Sequence, residues 1–324
     1  QSKISFELED FQSYLDLKGE IMPLKQPLYN PIQMILADSL LFLQNPNRDV
    51  VTDILNINTG EIIASFCKRG RGPGEIIYPF PPQFIEETNE FLVHDLNGKK
   101  EVFYSIDLVL KGESKNYTKI VNFDSVYPRR LKLVKDNTFF CGLIGHEEGY
   151  MNCKIDMEGN VTKWLNKFPE IGINYNKILA SNLFPTDVSV SPDLTKVVVS
   201  YSYSGRIDIF DFTGILLLTY YGPDYKELDI ALSKKTKVPT RTSKNVKTYW
   251  SADLNNKSFM IPYSGKKRTE LNLYENILHL DYEGNLIARY KLDPAVADIQ
   301  VDWKNRIIFG LNNSMEPSIY KYNF

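Results

Sequence analysis

One pattern recurs six times along this chain: an apolar stretch, a tight polar turn, then a second apolar stretch. The copies occupy residues 35–44, turning at Asp38, 84–94 at Thr88, 131–143 at Asp136, 188–201 at Asp193, 252–263 at Asn255 and 299–311 at Lys304. Successive turns lie 50, 48, 57, 62 and 49 residues apart. A period near this length, with two hairpins per unit, is that of four-stranded propeller blades. A second turn follows in most units, at Asn58-Thr59-Gly60, Asp156-Met157-Glu158-Gly159, Asp211-Phe212-Thr213-Gly214 and Asp281-Tyr282-Glu283-Gly284. Asp or Asn bonds its own backbone there, and Gly supplies a positive φ without steric cost. The flanking runs 206–212 and 276–282 are apolar on both faces, as expected of sheets packed between neighbouring sheets.

Counting strands predicts how the ring closes. The sixth unit ends at residues 317–324, one strand short of four, while residues 3–11 read as a surplus strand at the other end. Pairing the N-terminal strand with the C-terminal blade hides both open edges. The expectation is therefore an all-β, six-bladed β-propeller with four-stranded blades, one domain over 1–324. A length of 324 residues also allows two ordinary domains, but no Gly/Ser- or Pro-rich stretch serves as a linker. The aromatic share of 13%, with 20 Tyr and 18 Phe, favours pleated, half-buried surfaces.

Charge and hydropathy narrow the partners. The net charge of −2 gives no drive towards nucleic acid or anionic membrane. No apolar run approaches the roughly 18 residues of a membrane span; residues 215–221 are strand-sized. The chain starts at Gln1, which reads as a processed start, and a monomer is expected. Cys67, Cys141 and Cys153 have no metal-ligand spacing. Cys141 and Cys153 flank Glu147 symmetrically, so they read either as buried thiols or as a cross-strand disulfide.

In a four-stranded blade the A–B and C–D turns fall on one side, and the B–C and D–A connections on the other. Here the first set is short and the second holds the irregular segments 68–80, 167–185, 222–247 and 264–276. Long loops on a rigid scaffold are where binding usually resides. Within 222–247, Tyr225, Leu228, Ala231 and Leu232 share a helical face after Pro223-Asp224, which predicts a short helix. A basic run follows: Lys234, Lys235, Lys237, Arg241, Lys244 and Lys247, with Lys266, Lys267 and Arg268 in a neighbouring loop. It reads as a cationic patch for an acidic ligand or as a solvated loop.

The segment Arg69-Gly70-Arg71-Gly72-Pro73-Gly74-Glu75 precedes Tyr78-Pro79 at the first blade junction. Here the chain resembles the TolB-like six-bladed β-propeller family, exported proteins of gut bacteria, many of them lipoproteins. The resemblance implies a propeller and export to the periplasm or outer membrane, with a lipid anchor upstream of Gln1; it implies no defined activity. The three glycines suit either an anion-binding nest flanked by Arg69 and Arg71, or a structural crossover in which Glu75 and an Arg pin the loop to the next blade. The Gly-Lys-Ser/Thr ending of a nucleotide loop is missing.

No catalytic signature is legible. His94, His146 and His279 share no metal spacing, and Gly-x-Ser-x-Gly does not occur. His94-Asp95 is conceivable as a base with its orienting carboxylate, and His279 reads as packed within a strand. No cofactor and no metal are expected. The sequence thus points to a non-catalytic exported binder of a protein partner or glycan. Its candidate ligand-binding residues are Arg69, Arg71, Glu75, Tyr150, Tyr249, Trp250, Tyr263, Lys266 and Arg268. The alternative is a metal-assisted, calcium-type hydrolase or lyase using channel oxygens such as those of Asn45, Asp95, Asn97 and Asp187.

Overall fold

All six expected A–B turns fall between paired antiparallel strands. The computed structural model describes residues 2–170, 178, 180–233, 238–267, 269–270 and 273–324. The second set of turns holds too: Gly60, Gly159, Gly214 and Gly284 all take positive φ. Asp281 shows the chemistry most fully, its Oδ1 accepting from the N–H groups of Glu283, Gly284 and Asn285 at 2.8–2.9 Å.

Six small sheets result, arranged as a six-bladed β-propeller. Blade one comprises Gln33–Ala37, Leu40–Gln44, Val50–Asn56 and Glu61–Lys68. Blade two comprises Gln83–Ile85, Glu90–Asp95, Lys100–Ser105 and Tyr117–Asn122, with the helix Ile106–Leu110 capped by Ser105 before its last strand. Blade three is Pro128–Leu133, Phe139–Leu143, Asn152–Ile155 and Val161–Trp164. Blade four is Thr186–Val190, Lys196–Tyr201, Arg206–Asp211 and Leu216–Tyr221. Blade five runs from Val246–Tyr249 and Asp253–Leu254 through Ser258–Lys267 and Tyr274–Asp281 to Leu286–Val296. Blade six has Asp298–Asp302, Ile307–Asn312 and Ser318–Asn323.

The N-terminal segment does complete the last blade, but with Glu20–Ile21, which pairs antiparallel to Tyr320 and Lys321. The stretch 3–11, expected in that role, goes elsewhere. Ser2–Ser5 runs parallel to Leu218–Tyr221 on the outside of blade four, and Leu8–Asp10 is a 3-10 turn. Between them and Glu20–Ile21, Tyr14–Lys18 lies beside the outer strand of blade five. Strand-forming character was legible in the sequence; which edge each piece would seek was not, because an edge accepts any extended backbone.

The chain divides into two compact units, residues 1–15 with 125–291, and residues 16–124 with 292–324. In the first unit, adjacent blades three and four bury Phe140, Val197, Val199 and Phe210, and blades four and five bury Ile207, Tyr220, Phe259 and Leu280. In the second, Phe42, Phe66, Phe91 and Tyr104 fill the space between blades one and two, with Phe42 and Phe91 stacked at 4.5 Å. Each such ring contributes about 1.5–3 kcal/mol by leaving water. Burial on both faces explains why strands such as Val197–Val199 show no alternation.

The helix expected within 222–247 is absent among its described residues. Ile230–Leu232 and Pro239–Arg241 instead form a two-stranded hairpin. Asp224 has φ +61, a left-handed conformation that stops a helix where the motif should have started it. Lys234, Lys235 and Lys237 lie outside the described residues.

Candidate functional site

The glycine-rich segment folds back on itself. Ile76 N–H donates to Lys68 C=O at 2.9 Å and Gly70 N–H to Ile76 C=O at 3.1 Å, closing the loop against the end of blade one. Gly72 N–H donates to Glu75 Oε2 at 2.8 Å. The nest that the glycines could offer an anion is thus filled by the chain's own carboxylate. A Cβ at Gly70 would sit 2.0 Å from that oxygen, so a side chain there would have to displace the Glu75 carboxylate. Gly74 takes φ +71 against the Tyr117 ring, and its carbonyl accepts from Tyr104 Oη at 2.8 Å. Arg69 and Arg71 are exposed on this loop, and Arg69 Nε donates to the backbone carbonyl of Arg48 at 3.3 Å. The geometry is that of a blade junction. Beside it opens a cavity of about 390 Å³ lined by Phe66, Cys67, Gly74, Glu75, Val109 and Tyr117. Burial pushes the Cys67 thiol up to about 12, which keeps it unreactive.

Blade five separates the residues that the sequence grouped. Tyr249 is fully buried and Tyr263 is 4% exposed; both belong to the core with Phe6 and Phe259. Neither offers its ring as a surface for stacking. Tyr263 Oη donates to Asp224, tying the 222–229 segment down. The aromatic bias that marked them as stacking residues was a packing signal. Trp250 and Lys266 are half-buried; Lys266 pairs with Glu275 at 2.6 Å. Arg268 lies outside the described residues.

Blade three brings Tyr150 into company the sequence reading missed. Tyr150 stacks on Trp164 at 5.2 Å, the rings 24° apart, and His146 lies 4.2 Å from Trp164. Lys167 Nζ sits 4.7 Å over the Tyr150 ring. The B–C loop supplies His146 and Tyr150, and the end of the outer strand supplies Trp164, so both come from the loop-rich side. All three rings are half-exposed, and Glu147 and Glu148 beside them are exposed. The signal was available: strand D ends beside the end of the B–C loop, where the register sets Tyr150 opposite Lys167 and Trp164 opposite Cys153, so the two rings meet diagonally across that end of the blade.

A family model of the TolB-like six-bladed propeller matches residues 18–304. The chain belongs to the TolB-like propeller family. Among solved structures, a Bacteroides fragilis protein provisionally named as exported superposes with a TM-score of 0.65 at 10% identity, covering 99% of each chain. A Bacteroides vulgatus protein of the DUF4221 family gives 0.62 at 12% identity, covering 94% of this chain and 97% of its own. A streptogramin B lyase gives 0.54 at 10% identity, covering 95% and 97%. At these identities the likeness is one of fold. No protein of curated function matches.

In this TolB-like propeller the remaining candidates are held by structural contacts. His94 is 1% exposed with Nδ1 3.2 Å from Glu101, inside blade two. Its neighbour Asp95 does not orient it; both carboxylate oxygens accept at 2.9 Å, from the N–H groups of Ile77 and Tyr78. His279 Nε2 meets Ser258 Oγ at 2.9 Å within blade five. Of the oxygens considered for a cation, Asp187 faces Arg130 at 3.4 Å, and Asn45 donates to Asp53 at 2.9 Å. Among the described residues no three His, Cys, Asp or Glu side chains converge as a metal-ligand set. Cys141 and Cys153 face each other in register with sulfurs 3.2 Å apart, as two thiols.

Proposed function

We propose that this TolB-like propeller is an exported, non-catalytic binding protein, and that the loop-rich side of blades three to five engages a protein partner or glycan. The half-exposed rings of His146, Tyr150 and Trp164, with Lys167, carry the reading. Aromatic rings held at the end of a rigid sheet offer large contact area at small entropic cost, the property of recognition surfaces. Flat rings favour the glycan, since the C–H faces of a sugar pack on them. The name of the Bacteroides fragilis structure supports export.

The test is retention of the purified chain on an array of neutral and acidic polysaccharides, compared with Tyr150→Ala and Trp164→Ala. The expected result is saturable retention by one glycan class, weakened about tenfold in either variant, as for truncation of an aromatic hot spot. Equal retention by the wild type and both variants would remove this surface from the reading.

A further inference from the structure

Lys247 is a buried cation that no carboxylate answers. It lies on Val246–Tyr249, the innermost strand of blade five, at the loop-rich end. Its relative exposure is 7%. Among the described residues its ammonium makes no hydrogen bond and no ion pair. Its close neighbours are rings, Trp250 with its centroid 5.2 Å from Nζ and Tyr274 at 4.9 Å. Across the ladder stands Lys266, itself engaged with Glu275. The Trp250 indole N–H is also buried, with no acceptor. An ammonium brings three donors and an indole one, and neither accepts. The spot therefore presents donors and positive charge beside two aromatic rings, whose centroids are 6.5 Å apart. Desolvation draws the amine down to about 8, so it remains mostly protonated at neutral pH. A buried charge without a counter-charge is costly to keep, and perturbed groups of this kind cluster at functional sites.

We propose that Lys247 and Trp250 form an anion subsite that takes the carboxylate or sulfate of an acidic sugar residue. This rests on the glycan-binding reading of the same side of the unit. A sugar fits better than an acidic peptide strand. Strand addition needs an open sheet edge, and Ser2–Ser5 and Tyr14–Lys18 cover the outer edges of blades four and five. Aromatic rings beside one unanswered ammonium match a single pyranose unit carrying one anionic group.

Calorimetric titration with sodium sulfate, sodium glucuronate and glucose tests it, on the wild type, Lys247→Met and Trp250→Phe. Sulfate or glucuronate is expected to bind saturably and glucose not, with whichever anion binds naming the sugar's group. Affinity falls about tenfold per unit above about pH 8, as the amine loses its proton. Lys247→Met loses at least about tenfold in affinity and melts higher, since it removes an unanswered buried charge. Trp250→Phe keeps a ring, drops the N–H, and loses several-fold.

Two results overturn the proposal: neither anion binding, or equal binding to Lys247→Met. So does a lower melting point of Lys247→Met, which marks the lysine as structural. Polysaccharide retention that needs Trp164 but is unchanged in Lys247→Met removes this subsite and leaves the binding reading standing.

Discussion

Replacing Gly74 by alanine probes the glycine-rich junction with a control built into the same loop system. A Cβ at Gly74 would lie 2.2 Å from Tyr117 Cδ1, and the residue holds φ +71. Gly112 holds φ +74, yet a Cβ there meets nothing within 4 Å. The left-handed conformation costs an alanine about 1–2 kcal/mol at either site. At Gly74 the clash adds about 1–3 kcal/mol, the usual cost of forcing atoms into packed space. Gly112→Ala is thus expected to destabilise by about 1–2 kcal/mol and Gly74→Ala by about 2–5 kcal/mol. The adjoining cavity of about 390 Å³ gives the Tyr117 ring room to yield, which sets the lower bound. Urea unfolding followed by tryptophan fluorescence measures both. In a Tyr117→Ala background the two alanines should cost the same, because the clash is gone and the backbone strain remains. Equal costs with Tyr117 present would refute the steric account of the motif.

Three further outcomes are expected. Refolding with oxidised glutathione should join Cys141 to Cys153 by thiol–disulfide exchange, leaving one alkylatable thiol after denaturation and adding about 3 kcal/mol; three alkylatable thiols would show that the rung geometry is unsuitable. From about pH 8 towards 10 the wild type should gain stability relative to Lys247→Met, by up to about 3 kcal/mol. This gain lies over a background in which the buried Cys67 and Cys141 thiols, holding their protons when folded, lower the stability of both. The folded amine sits near 8 and the unfolded one near 10.5, so the unfolded state binds the extra proton in that window; a slope unchanged in the variant would contradict this. Deleting residues 2–21 should expose the outer edges of blades four to six and give concentration-dependent association in light scattering, whereas a monodisperse monomer would mean that those edges are protected by other means.

The repeat was legible because turn chemistry is local. Asp281 and Gly284 specify their hairpin with atoms within four residues of one another. The resemblance at Gly70–Glu75 was legible for the same reason; whether its glycines were a nest or a crossover was not, and Glu75 answers Gly72 within the loop itself. Failures came where the outcome hangs on distant partners. Tyr249 and Tyr263 read like Tyr150 in sequence, and only tertiary packing buries the first two. The 222–232 pattern fitted a helix, but Asp224 holds a left-handed φ and is bonded by Tyr263, 39 residues away. Lys247 looked like one more member of a wet basic run, and only its position on an inner strand isolates its charge.

The N-terminal strands also impose an order in time. Ser2–Ser5 must wait for residues 218–221, and Glu20–Ile21 for residues 320–321. Glu20–Ile21 and its partners stand about 300 positions apart, so the pairing that closes the ring carries the loop-closure entropy of all the blades between and is expected to form after the local hairpins.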